Sequence, residues 1–290
     1  FYVVYFILGY FLQAVVINKR VLFMLFILMS FLTFSKTDFN NFSLQFESVI
    51  NTDLIGTYLK LGDTFAVTSL FLLSIVKSRR LTFLIVLISL AVLFVVNSRT
   101  SFYVYIFVFI LGLILSRQFR LLMLCLIPIV AIWIFLLSNI FMQSGHLNRM
   151  TAFWVTQNDS SLNTRIEIQD VGYGHIYDHP IKGYMGGQIQ KFGGKGYYIH
   201  NIISYWQEFG LINFIFLLIF LFWICSWIIK AFIRYPKLIN QNFSFVLIFL
   251  FSFTEILLAR SFVSPYIWLS IGMFLRIKDR EFGRLIQRLK

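Results

Sequence analysis

Charge is scarce in this chain. Asp, Glu, Lys and Arg make up 13% of its 290 residues, while 59% are hydrophobic. A soluble domain carries roughly 25% charged residues. The shortfall excludes a soluble globular enzyme and, more firmly, a disordered chain. Cysteine is nearly missing: Cys125 and Cys225 are the two present, each inside an apolar run. That excludes a disulfide framework and a cysteine metal site. Acidic residues are also few, 12 against 25 Lys+Arg, for a formal charge of +13. In a soluble protein this excess would point to nucleic acid. Here the basic residues sit in short turns between apolar runs, so no nucleic-acid partner is expected.

What is abundant is apolar bulk, with 36 Phe. A membrane-spanning helix needs roughly 20 apolar residues. Candidate spans lie at about 1–17, 21–34, 64–76, 81–96, 102–116, 121–142, 209–229, 241–258 and 262–275. The expected fold is therefore all-α: a polytopic integral membrane protein of about nine transmembrane helices, forming a single transmembrane domain over 1–290. The chain opens on Phe1 inside an apolar run, which reads as a fragment missing N-terminal residues. Residues 1–17 lack the basic start and small-residue cleavage site of a signal peptide.

Lys and Arg positions set the orientation. With the Lys19–Arg20 turn in the cytoplasm, sixteen basic residues fall on that side, six of them from Arg276 onward. Nine fall outside, where acids nearly balance them. The net charge is thus mostly a topology signal. Two outer segments exceed a turn. Residues 35–63 alternate apolar and polar side chains, and read either as an amphipathic helix at the interface or as a loop covering helix ends. Residues 143–208 hold all four His, and the stretch 172–196 within them holds eight of the 16 Gly. A long polar loop on a membrane scaffold is where chemistry is expected.

Four groups there and near the outer face carry candidate residues. Asn97-Ser98-Arg99-Thr100-Ser101 is a tight reversal between two apolar segments. Arg99 either snorkels to headgroups or grips a phosphate. Around Arg165, Glu167 and Ile168 an amphipathic helix is expected, ending at His179-Pro180. His175 and His179 stand four apart, which on a helix would suit a metal pair, but the neighbouring glycines and Pro180 argue against a helix there, and no third ligand is evident. Gly193-Gly194-Lys195-Gly196 lacks the Walker A spacing, so no nucleotide is expected. Tyr173, Tyr184, Tyr197 and Tyr198 offer flat faces with polar tips for a sugar, or form an interfacial belt. His200-Asn201 opens the next apolar segment, with Asn201 a candidate cap and His200 a candidate base. Glu208 follows as a helix-orienting residue or an interface marker. Glu255, inside a span, invites pairing with Arg260, which is also a second basic group for a substrate cavity.

The order Ser98-Arg99-Thr100, Arg165, His179-Pro180-Ile181-x-Gly183-Tyr184-x-Gly186, then His200-Asn201 ahead of Glu208-Phe209-Gly210-Leu211-Ile212, resembles the O-antigen polymerase and O-antigen ligase superfamily. The resemblance covers about 95–215. It implies a GT-C-like membrane glycosyltransferase of the bacterial inner membrane, independent of metals and other cofactors, working at the periplasmic face. It implies an undecaprenyl-diphosphate-linked oligosaccharide as substrate and a chain-length regulator as a possible partner. By motif, Arg99 and Arg165 would hold the diphosphate, joined by Arg260 from the cavity argument above, and His200 would act in transfer. Eight residues separate His200-Asn201 from Gly210, where ligases commonly have nine, which favours a polymerase. The alternatives are a ligase moving the finished glycan to lipid A core or protein, and a lipid-linked sugar transporter. A transporter should show internal repeats, broken helices in matching positions and mid-membrane charges; no repeat is found, and the polar residues collect in one outer loop.

Overall fold

The computed structural model describes residues 2–12, 18–38, 43–44, 57–141, 160–193, 198–261 and 263–289. The regular structure in these is helical apart from one two-residue antiparallel pairing. The helices are α1 (Tyr2–Leu12), α2 (Lys19–Ser35), α3 (Thr57–Ile75), α4 (Arg79–Val96), α5 (Arg99–Leu115) and α6 (Phe119–Phe141). They continue as α7 (Ser160–Asp178), α8 (Gly187–Phe192), α9 (Ile203–Arg234), α10 (Pro236–Gln241), α11 (Phe243–Leu258) and α12 (Pro265–Leu289). Between α2 and α3, β1 (Thr37–Asp38) pairs with β2 (Ser43–Leu44), Thr37 opposite Leu44.

Where they are described, the apolar segments picked out from the sequence lie largely in helices, but the edges differ. α3 starts at Thr57, and α9 runs from Ile203 to Arg234. Hydropathy marks only the apolar part of a helix, whereas the backbone ladder continues into polar flanks. Among the described residues, three helices are long and apolar enough to cross a membrane: Tyr58–Ile75, Arg79–Val96 and Ile203–Arg234. α9 exposes Ile212, Ile215, Phe216, Ile219 and Phe222 at helical spacing, a stripe suited to lipid contact. Most of 39–56, where an interfacial helix was one reading, lies outside the described residues; 57–63 belong to α3.

Local signals explain several boundaries. The Asn18 side chain accepts from the Arg20 amide at 3.0 Å and caps α2. α4 ends on Asn97 in the left-handed region, φ 62°. Pro236 and Pro265 are the first residues of α10 and α12, where a missing N–H costs nothing.

The chain packs as two compact units. One comprises Val16–Gln157 with Asn242–Phe251. Its core includes Phe26 on Phe65, ring centroids 5.3 Å apart, and fully buried Leu70, Ile85, Leu90, Phe102 and Tyr105. Three buried hydroxyls join α3, α4 and α5: Ser69 Oγ lies 2.6 Å from Ser89 Oγ and 2.9 Å from Tyr105 Oη. Away from water such groups must satisfy one another, so this contact fixes the mutual rotation of three helices.

The other unit comprises Phe1–Val15, Asn158–Gln241 and Ser252–Lys290. In it α1 packs closely on α12. A Cβ placed on Gly9 would lie 1.9 Å from the Leu269 carbonyl oxygen, and one on Gly272 would lie 2.1 Å from that of Phe6. The two backbones touch because neither glycine has a side chain. At the far end Tyr10 Oη donates to Asp279, and Arg276 Nη1 donates to Tyr10 Oη at 3.3 Å. Replacing Gly272 with Leu must push the helices apart. A loss of at least the ~1–3 kcal/mol typical of overpacking is expected, read as a lower Tm in detergent; Gly272→Leu melting like wild type would contradict the crossing.

Candidate functional site

The stretch from α7 to the start of α9 is organised around a break in a helix. Inside α9, Gly210 has φ 81° and ψ 170°, far from helical values. An unbroken helix would pair the Leu211 amide with the Gln207 carbonyl. Instead both groups turn to the segment after α7. Tyr184 N donates to the Gln207 carbonyl at 2.7 Å, and Leu211 N donates to the Pro180 carbonyl at 2.9 Å. Trp206 Nε1 donates to the same Pro180 oxygen at 2.8 Å, and Asn213 Nδ2 caps the Phe209 carbonyl at 2.8 Å. Glu208 Oε2 accepts from Gly186 N at 3.0 Å.

The glycines make this approach possible. A Cβ on Gly210 would sit 1.9 Å from the Ile181 carbonyl oxygen, and one on Gly183 would sit 2.4 Å from the Gly210 nitrogen. Gly183 and Gly210 both have positive φ, 73° and 81°. The stretch His179 to Gly186 is therefore a fitted strap over the opening of α9. Tyr184 lies beneath it, with ring centroids 5.0 Å from both His175 and His179 and its hydroxyl donating to Gln190 at 2.9 Å.

His200 stands just before α9. Asn201 Oδ1 accepts from Ile203 N at 2.9 Å, so Asn201 caps the helix start as its place in the sequence suggested. The imidazole of His200 is half-buried, and the Tyr198 ring packs on it at 5.2 Å. Burial first, then the positive charges of Arg165 and Arg260, push His200 down to about 4. At neutral pH the ring is therefore uncharged and able to accept a proton. Arg165 lies half-buried on α7; Arg260 follows α11 and is buried, its amide donating to the Glu255 carbonyl at 2.8 Å. The structure thus brings His200, Arg165 and Arg260 into one electrostatic neighbourhood from three separate stretches of chain.

Other candidates fall elsewhere. Arg99 opens α5 in the other unit, beside a buried cluster in which Ser101 Oγ donates to Asp63 and contacts Ser98 Oγ at 2.7 Å. Tyr173 is exposed on α7 and accepts from Gln169 Nε2 at 2.9 Å. Tyr197 and Lys195 lie outside the described residues. The expectation that glycines keep the chain around His175 from being helical is corrected: α7 runs through Gly172 and Gly174 to Asp178. Packing overrides propensity there, because Gly172 lets Ile199 and Gln188 approach closely. His175 and His179 both pack on Tyr184, and His175 Nδ1 lies 3.3 Å from Gln207 Nε2. Burial, then Lys191, lowers the His175 pKa, with Asp178 opposing and His179 reinforcing.

Gln207 and Trp206 went unnoticed as tying residues because a polar residue and an indole at a helix start carry no distinctive sequence signal. The usable clue was Gly210 in an apolar run, since an isolated helical glycine often marks close backbone approach. No family model, curated protein or solved structure matches the chain. Its class therefore rests on its own features: a helical protein with, among the described residues, three helices fit to cross a membrane, and a histidine at the lead-in to one of them that burial and two arginines keep neutral.

Two outcomes are expected. Gly210→Ala strains φ and drives a methyl into the Ile181 carbonyl, so cleavage by added protease near 180–186 should rise at least tenfold; unchanged protection would contradict the strap. Arg260→Gln removes a positive neighbour and thereby favours the protonated ring. The His200 midpoint, followed by histidine NMR in detergent, should move up from about 4 yet stay below the ordinary 6.5, because burial remains. A midpoint that does not move would contradict the proximity.

Proposed function

We propose that this chain is a membrane glycosyltransferase that polymerises O-antigen or capsular repeat units. The donor is an undecaprenyl-diphosphate-linked oligosaccharide, the location the bacterial inner membrane with about nine spans in a GT-C-like arrangement, and the active face periplasmic. The observation that carries the reading is a histidine held neutral by burial and by two arginines. A group-transfer site with a diphosphate leaving group requires both features.

In this mechanism the acceptor hydroxyl gives its proton to His200 as its oxygen attacks the anomeric carbon. The bond from that carbon to the diphosphate oxygen breaks, and its electron pair leaves with the diphosphate. Arg165 and Arg260 stabilise the growing negative charge where little water competes. The lipid diphosphate supplies the driving force, so the chemistry calls for no nucleotide. Tyr173, Tyr197 and Tyr198 remain the sugar-facing candidates. Tyr184, whose ring and hydroxyl are engaged under the strap, serves positioning. A ligase would use the same chemistry with a different acceptor. A transporter would need unwound helical backbone open to its solute, whereas strap atoms already occupy Gln207 O and Leu211 N at the break in α9.

Complementation of a polymerase-null strain, read on a polysaccharide gel, tests this. Wild type should restore a ladder, and Ala at His200 or Arg165 should collapse it to single repeat units. A rescue seen only in a ligase-null strain would move the assignment to ligase. In purified enzyme the rate should stay flat from neutrality downward and fall as pH drops through about 4, where His200 takes up its proton. A limb near pH 6.5 would remove His200 as the base.

A further inference from the structure

α9 fixes where the edge of the membrane falls. Leu211 to Ile229 carries no charged residue, and Lys230 follows it. At about 1.5 Å per residue this stretch is ~28 Å long, close to the ~30 Å of a bilayer's hydrocarbon. Its exposed apolar stripe starts at Ile212. The break at Gly210 therefore lies at one edge of the hydrocarbon. The strap is bonded to that edge, through Leu211 N to the Pro180 carbonyl and Tyr184 N to the Gln207 carbonyl. Trp206, which shares the Pro180 oxygen and stacks on Phe214 at 5.7 Å, is an interfacial residue type at the same level.

The outward side of the strap is unlike that of a loop in water. Ile181 and Met185 are 62% and 68% exposed, and Ile189 on α8 is 47% exposed. Lys182 and Lys191 stand exposed beside them. Large apolar side chains interleaved with lysines make an interfacial segment. The lysine stems lie along acyl chains while their heads reach phosphate. The backbone agrees with this placement. The amides of Gly183, Tyr184, Gly186 and Gly187 donate to His179 O, Gln207 O, Glu208 Oε2 and Tyr184 O, at 2.9, 2.7, 3.0 and 3.3 Å. These donors need no water, which is the condition for irregular backbone at the edge of lipid.

We infer that the strap and α8 form a foot on the phospholipid surface. Ile181, Met185 and Ile189 enter the acyl-chain edge of the leaflet at the Gly210 end of α9, and Lys182 and Lys191 meet anionic headgroup phosphates. The partner is the bulk bilayer. Its claim over a protein partner is continuity in depth with the lipid-facing stripe, which begins two residues past the break. The inference uses α9 only as a membrane helix, so it stands whatever group the chain transfers. Lipid then presses on the strap from outside, and the hydrogen bonds to α9 hold it from within.

The test uses the full chain in lipid nanodiscs, in a Cys125→Ala, Cys225→Ala background whose Tm matches wild type. Ile181→Cys, Met185→Cys and Ile189→Cys each carry one nitroxide, read by its collisions with oxygen and with a water-soluble nickel chelate. At all three positions the oxygen-to-nickel ratio should exceed that of the free label in buffer at least threefold. It should stay below that of Phe216→Cys, the lipid reference. Adding phosphatidylglycerol to phosphatidylcholine should raise the ratio about twofold, and Lys182→Gln with Lys191→Gln should abolish that rise. In the unaltered chain, phosphatidylcholine with a diazirine high on its acyl chain should label the peptide spanning 180–192. Ratios equal to the free label, with that peptide unlabelled, place the strap in water and overturn the foot. Low collision with both reagents and an immobilised spectrum mean that protein covers the patch, which also overturns it. Indifference to phosphatidylglycerol overturns the lysine contacts.

Discussion

One exchange of hydrogen bonds organises the stretch from α7 to the start of α9. At Gly210 the helix gives up its own pairing of Leu211 with Gln207 and hands both groups to Pro180 and Tyr184. A buried amide or carbonyl without a partner costs about 1–3 kcal/mol, so helix and strap each need the other. Glu208 adds a charged acceptor for Gly186, and Trp206 a second donor to Pro180. The strap is thereby tied to the same helix start whose cap, Asn201, sits beside His200. Rigidity at the break is what allows a side chain on an otherwise irregular stretch to hold one position.

The electrostatics follow from this placement. An imidazole in water would be partly protonated near neutrality, and a protonated ring cannot act as a base. Burial and two guanidinium charges remove that competition. The same charges that favour an anion nearby also keep the ring neutral, so one arrangement serves two needs. The arrangement depends on tertiary placement: Arg165 comes from a helix, His200 from the lead-in to another, and Arg260 from beyond a third.

Some of this could be read in the sequence and some could not. Apolar runs showed where the helices are, because lipid-compatible segments differ so strongly in composition from their flanks. Among the described residues three helices have both the length and the apolarity to cross. His200-Asn201 was legible because a capping residue before an apolar run is a local signal. Arg260 was legible because a charge close behind Glu255 in an apolar stretch is unusual. The break at Gly210 was not, since its partners lie some thirty residues earlier in the chain and only the folded backbone brings them together. The helix through Gly172 and Gly174 was misread for the converse reason: local propensity is weak, and contacts with Ile199 and Gln188 outweigh it.

The close crossing of α1 and α12 bears on how the protein is made. Gly9 and Gly272 meet backbone to backbone, although more than 250 residues of chain separate them. At ribosomal speeds of about 5–20 residues per second, α1 waits roughly 13–50 s before its partner emerges. Throughout that interval its glycine face has nothing to close upon. During synthesis the crossing therefore closes only once α12 has emerged, and α1 must be sheltered in the meantime by lipid, by the insertion machinery or by a temporary neighbour.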